Sequence, residues 1–184
     1  MILPIIAFGS QILRKSCTNI TADYPNLDAL LVNMWETMYD AKGVGLAAPQ
    51  INKSIKLFLI DTTPFIDDEL REEPVKKVFI NARIIEESGE RWVFNEGCLS
   101  IPEIREDISR KSSITIEYFD ENFTKHTDNF DGITARVIQH EYDHTKGILF
   151  TDKISQLRKR MIKGKLIDIS NGKISANYKM KLLK

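Results

Sequence analysis

The chain has 184 residues, 42% of them hydrophobic, enough to bury a core, and a single domain over 1-184 is expected. Its 26 basic and 26 acidic residues cancel, so no positive field marks nucleic acid or an anionic membrane as the main partner, and a small neutral substrate or a peptide fits better. No apolar run approaches the roughly 20 residues of a membrane span, and two cysteines, Cys17 and Cys98, make no disulfide scaffold, which leads us to expect no membrane and a reducing, cytoplasmic setting.

The opening MILPIIAFGSQILRKSC has a short apolar stretch with no basic residue before it and no small-residue cleavage site, and reads as mature protein. From Asn26 to Lys42, Leu27, Leu30, Leu31, Met34 and Met38 recur at helical spacing, with Asn26 as N-cap and Gly43 just past the end. Gly43 to Gln50 (GVGLAAPQ) follows. Its small side chains let backbone approach an extended peptide; a simple helix-ending turn accounts for the glycines equally well. No GK[ST] follows, so it is not a phosphate-binding loop. Ile55 to Asp61, Val75 to Glu87 and Arg91 to Asn95 read as strands. Thr62 to Pro74, with two prolines and several acids, reads as an exposed loop. Ile114 to Asp120 and Lys125 to Phe130 flank the polar Glu121-Asn122 as a hairpin does. A second helix is expected after Asp131-Gly132, stopping near Gly147, and a third between Gln156 and Ser170 despite the cost of Gly164. The Lys-rich tail from Lys153 to Lys184 alternates with Ile, Leu and Met, as packed helix and strand do. Helices and strands are grouped rather than alternating, which predicts an α+β fold with antiparallel pairing.

The sharpest chemical feature is His140-Glu141-Tyr142-Asp143-His144 on the second helix, an HExxH pattern that holds a metal between two imidazoles one turn apart. Val137, His140, Glu141 and His144 share one stripe of that helix, so Glu141 lies beside the ion's open position, where it can take a proton from water. The plain alternative is a surface helix with solvated histidines. Two imidazoles need a third protein ligand. After His144 the chain has no His, Glu or Cys, only Asp152 and Asp168, which counts against an ordinary zinc peptidase or amidase. Upstream, Cys17, Cys98 and His126 are the candidates. Cys98 stands out, at a strand end within Glu96-Gly97-Cys98-Leu99-Ser100, because a thiolate with two imidazoles leaves one position for water. His126, on the hairpin, reads as an exposed strand residue. A structural, non-catalytic metal site would need a fourth ligand, Cys17 or His126. Gln50 carries an amide able to donate to an oxyanion.

With GVGLAAPQ, EGCLS and QHEYDH in that order, the chain resembles the peptide deformylase family over roughly residues 3 to 155. The resemblance implies an α+β fold with antiparallel sheets packed around a central HExxH-bearing helix, and a hydrolase that removes the N-formyl group from formyl-methionyl nascent peptides. It implies Cys98, His140 and His144 as metal ligands, Glu141 as general acid and base, Gln50 and the Leu99 N–H as oxyanion donors, and Gly45 as a backbone contact to the formyl-peptide. The implied ion is Fe²⁺, with Zn²⁺, Ni²⁺ or Co²⁺ as substitutes, and a Cys-ligated ferrous site is oxygen-sensitive. A cramped site around Gly45 and Gln50 is expected to select formyl over acetyl, with a neighbouring apolar pocket for the methionine side chain expected at Val44 and Val137. The resemblance also implies transient ribosome association; the basic segment Arg158 to Lys165 serves it or is simply a solvated face. Two departures stand out: Thr145 replaces a leucine frequent in the family, and the Thr62 to Pro74 loop is longer than the shortest members need.

Overall fold

The structure, a computed structural model, describes residues 1–65 and 73–182. In chain order its elements are β1 (Ile5–Ile6), α1 (Leu27–Asp40), β2 (Gly45–Ala47), β3 (Leu57–Asp61), β4 (Lys76–Cys98), β5 (Ile101–Phe119), β6 (Lys125–Asp131), α2 (Gly132–Thr145), α3 (Gln156–Ser170) and β7 (Met180–Lys181). Strands β2 to β6 form one sheet in sequence order, each neighbour antiparallel, which is the expected α+β grouping. β3 is apolar from Leu57 to Ile60 because both faces of the sheet are covered. Leu57 and Leu59 point to a cluster with Leu31, Met34 and Met38 of α1, whereas Phe58 and Ile60 point to one with Ala135, Val137 and Ile138 of α2.

α1 forms where the apolar spacing predicts, but its ends are made differently. Asn26 occupies the N-cap position in a left-handed conformation and its side chain makes no capping hydrogen bond. The left-handed residue past the end is Lys42, φ 54°, rather than Gly43. The two strands expected from Val75 to Asn95 are one strand of 23 residues, β4, which bends through register shifts, one of them between Ser88 and Arg91. The hairpin with β6 is present, but β5 begins at Ile101, well upstream of Ile114. Its upstream half alternates inward at Ile104, Glu106, Ile108 and Arg110, and the two buried charges disguise that period of two.

α2 is buried along most of its length. Two of its long polar side chains reach carbonyls of the sheet: Gln139 donates to Lys111 O at 3.0 Å, and Arg136 donates to Ile108 O at 2.9 Å and Trp92 O at 2.7 Å. The helix stops at Gly147, φ 73°, where a Cβ would meet Arg14 O at 2.5 Å. α3 spans the predicted residues and docks through Ile162 and Ile169 onto Ile104 and Ile108 of β5, with Arg158 paired to Glu106 at 2.8 Å. Beyond it the tail forms β7, which pairs with β1 in parallel, unlike the rest of the strands. Nearly the whole chain connects these two strands, so no short turn imposes an antiparallel direction.

Of the Thr62 to Pro74 loop, residues 66–72 lie outside the described residues. Its neck is closed by Val75 N–H donating to Thr62 Oγ1 at 2.9 Å, and Thr62 is buried rather than exposed. No described helix is long and apolar enough to cross a membrane.

Candidate active site

β4 delivers Cys98 at its last residue, and α2 delivers His140 and His144 one turn apart. Their ligand atoms lie within 4.8 Å of one another, with Cys98 Sγ 3.3 Å from His144 Nε2. The other two candidate third ligands stay away from this cluster. Cys17 is buried and joined by its N–H to Thr145 O at 2.9 Å. His126 on β6 is half-buried against Asp120, Nε2 to Oδ2 2.8 Å. Thr145, the departure noted after the second histidine, is buried and donates its hydroxyl to Tyr142 O at 2.7 Å.

Behind the cluster lies a buried charge network that the sequence motifs do not flag. Glu96 Oε2 sits 2.9 Å from His140 Nδ1. An ionised carboxylate only accepts, so Nδ1 carries a proton and His140 Nε2 is the atom left to ligate, giving up any proton it holds when a metal binds. Glu96 also accepts from Arg110 Nε at 2.7 Å and Arg136 Nη1 at 3.0 Å. Arg110 reaches Asp143 at 2.6 Å, and the Arg136 guanidinium lies over the Trp92 ring, 4.4 Å from its centroid. Burial pushes the Glu96 carboxyl up, but His140 and Arg110 outweigh it and hold it far below the usual carboxylate range. Glu96 stands in EGCLS and Asp143 in HEYDH. The available signal was that a buried ligand imidazole needs an acceptor for its second N–H.

Glu141 is buried, its Oε2 without a hydrogen-bond partner in the protein. Burial pushes its carboxyl up to about 7, against the charge of His140. Gly45 explains how it fits: a Cβ there would lie 2.5 Å from Glu141 Oε1, so only glycine lets β2 pass this close. GVGLAAPQ therefore forms an edge strand and a 3-10 turn rather than a simple helix-ending turn. Gln50 is 1% exposed. Ala47 N–H donates to its Oε1 at 2.8 Å, which turns Nε2 toward Ser100 Oγ at 3.3 Å and Cys98 Sγ at 3.6 Å. Leu99 lies in the two-residue turn between β4 and β5. A cleft of about 540 Å³ opens over the group, lined by Val44, Gly45, Leu99, Val137, His140 and Glu141 among others.

The donor set fits a divalent metal. One thiol and two imidazoles converge, with the Glu96 carboxylate on His140 Nδ1. Burial presses His140 downward, yet hydrogen bonds with Cys98 and Glu96 and the Glu141 charge hold it well above the ordinary histidine range. Burial and the neighbouring His140 push His144 well below that range, leaving its lone pair free for a metal.

A model of the polypeptide deformylase family matches residues 2–160. The chain belongs to this family. It is 59% identical to the peptide deformylase of Christiangramia forsetii over 188 aligned positions, covering 98% of this chain and 96% of that one. It is 57% identical to that of Flavobacterium johnsoniae, covering 98% and 96%. Among solved structures, the peptide deformylase of Plasmodium falciparum superposes with a TM-score of 0.81 at 34% identity, covering 91% of this chain and 95% of its own. That of Legionella pneumophila superposes with 0.80 at 32%, covering 94% and 98%. Members of the family are metal-dependent hydrolases that take the N-formyl group from the initiator methionine of nascent polypeptides, and this chain is a hydrolase of that kind.

Proposed function

We propose that Cys98, His140 and His144 hold the catalytic metal, that Glu141 is the general acid and base, and that Gln50 Nε2 and the Leu99 N–H stabilise the oxyanion. The observation that carries this reading is the convergence of one thiol and two imidazoles beside a buried carboxylate with an unpartnered oxygen. A divalent metal in this donor set supplies Lewis acidity, which brings the pKa of water down toward neutrality. Glu141 accepts a proton from the water as its oxygen adds to the formyl carbon. Gln50 and Leu99 donate to the oxygen that becomes negative, and Gln50 enters the reaction already fixed by Ala47 and Ser100. Glu141 then returns its proton to the departing amine, and formate leaves.

The substrate is an extended formyl-methionyl peptide that lies along β2, the sheet's edge strand, where Gly45 offers backbone without a side chain. Val44 and Val137, on the cleft wall, take the methionine side chain. The closeness of Gly45 to Glu141 leaves little room for a larger acyl group than formyl. Fe²⁺ is the ion we assign in the cell, with Zn²⁺, Ni²⁺ or Co²⁺ as substitutes for the same donors. The setting is cytoplasmic, in a single domain over 1-184. Transient ribosome contact falls to Arg160, Lys163 and Lys165, which are exposed on α3, since Arg158 is committed to Glu106.

Formate release from formyl-Met-Ala-Ser by protein loaded with Fe²⁺ without oxygen, or with Ni²⁺, tests this reading. Gln50→Ala should release formate about 10²–10³-fold more slowly in kcat with its metal content intact. Normal turnover in that variant removes Gln50 from the oxyanion role.

A further inference from the structure

The segment after α3 lies beyond residue 160, where the match to the family model ends, yet it reaches the active site. Tyr178 packs against the core cluster on the α1 side of the sheet, as Leu99 does, and its hydroxyl donates to the Leu99 carbonyl at 2.7 Å. The next carbonyl, Ser100 O, accepts from Phe8 N–H at 2.8 Å. Both carbonyls of the turn between β4 and β5 are thus held, one from each end of the chain. Those ends are tied to each other through the β1–β7 pair, with Ile5 N–H on Lys179 O at 2.9 Å and Ala7 N–H on Lys181 O at 3.1 Å. The turn they hold carries the Leu99 N–H, and its Ser100 hydroxyl accepts from Gln50 Nε2 at 3.3 Å.

We propose that Tyr178 is a positioning residue for the reaction, its hydroxyl fixing the Leu99–Ser100 turn so that the Leu99 N–H and the Gln50 amide stay aimed at the developing oxyanion. The proposal rests on the oxyanion roles assigned above. Donors of this kind work because they are in place before charge develops, so a turn free to tilt loses transition-state stabilisation while substrate binding is little changed. The tail of this chain is then part of its catalytic apparatus rather than a terminal appendage.

Tyr178→Phe removes the hydroxyl and keeps the ring. The expected result is a fall in kcat of about threefold to tenfold, the range set by the net contribution of one hydrogen bond, with KM for formyl-Met-Ala-Ser and metal content unchanged and a melting temperature lowered by no more than about 6 °C. An unchanged kcat in the metal-loaded variant overturns the proposal. So does a fall matched by lost metal or by a larger drop in melting temperature, which would make Tyr178 a structural anchor only. Gln50→Ala measured beside it separates this proposal from the reading beneath it. A crippled Gln50→Ala with a fully active Tyr178→Phe sinks the tail proposal and leaves the oxyanion assignment standing. A fully active Gln50→Ala with a slowed Tyr178→Phe removes Gln50 from its role and supports the tail acting through Leu99 alone.

Discussion

Glu141→Gln is expected to bind metal as the parent does and to lose about 10²–10⁴-fold in kcat, the usual contribution of a positioned general acid and base. The substitution is nearly isosteric, and Glu141 Oε2 has no hydrogen-bond partner in the protein, so that oxygen leaves no protein donor stranded. It leaves the side chains of Cys98, His140 and His144 in place and removes only the charge that Glu141 contributes beside His140. The folded state gains, if anything. A carboxyl raised to about 7 from an ordinary 4.5 contributes less to stability as pH rises through that window, because the folded state resists losing the proton. A neutral amide is free of that penalty, so the variant should melt no lower than the parent at pH 7. Formate release, metal content and a thermal melt on one preparation check this. Turnover near that of the parent would remove Glu141 from proton transfer, and a loss of activity explained by a loss of metal would make its role structural.

The second large effect is expected at Glu96, which no motif marks as functional. Arg110, Arg136 and His140 all donate to its carboxylate, and both the Glu96 and Arg110 side chains are 4% exposed. Glu96→Gln keeps the shape and removes the charge that these donors share. Breaking a buried pair this way typically costs about 3–5 kcal/mol, because the partner charges stay buried without compensation. At roughly 2–4 °C per kcal/mol for a chain of this size, the melting temperature of the metal-free protein should fall by about 6–20 °C. The His140 tautomer also loses the acceptor that holds it, so metal affinity should drop about 10–100-fold. A melt within 2 °C of the parent and an unchanged metal titration, taken together, would show that the network is ornamental.

The contrast between these two residues shows what the sequence could reveal. Glu141 was legible because its chemistry and its neighbours are local: two histidines at helical spacing bracket it. Cys98 was legible because glycine and a strand end surround it. Glu96, Arg110, Arg136 and Asp143 were not, because charged residues read as solvated unless their partners are known, and the partners come from different elements of the fold. The same blindness hid the first half of β5, whose inward positions include Glu106 and Arg110. α3 and the β5–β6 hairpin were readable from local spacing and turn residues alone. Tyr178 had no local signal, since its contact with Leu99 spans 79 positions and depends on β7 folding back along β1.

X-ray absorption on the zinc-loaded protein tests the metal assignment most directly. The expected spectrum has one sulfur at about 2.3 Å, two imidazole nitrogens near 2.0–2.1 Å and a light atom from solvent completing four-coordination. Replacing Cys98 by Ser should remove the sulfur signal. A spectrum with no sulfur, or with four protein ligands and no solvent atom, would contradict it.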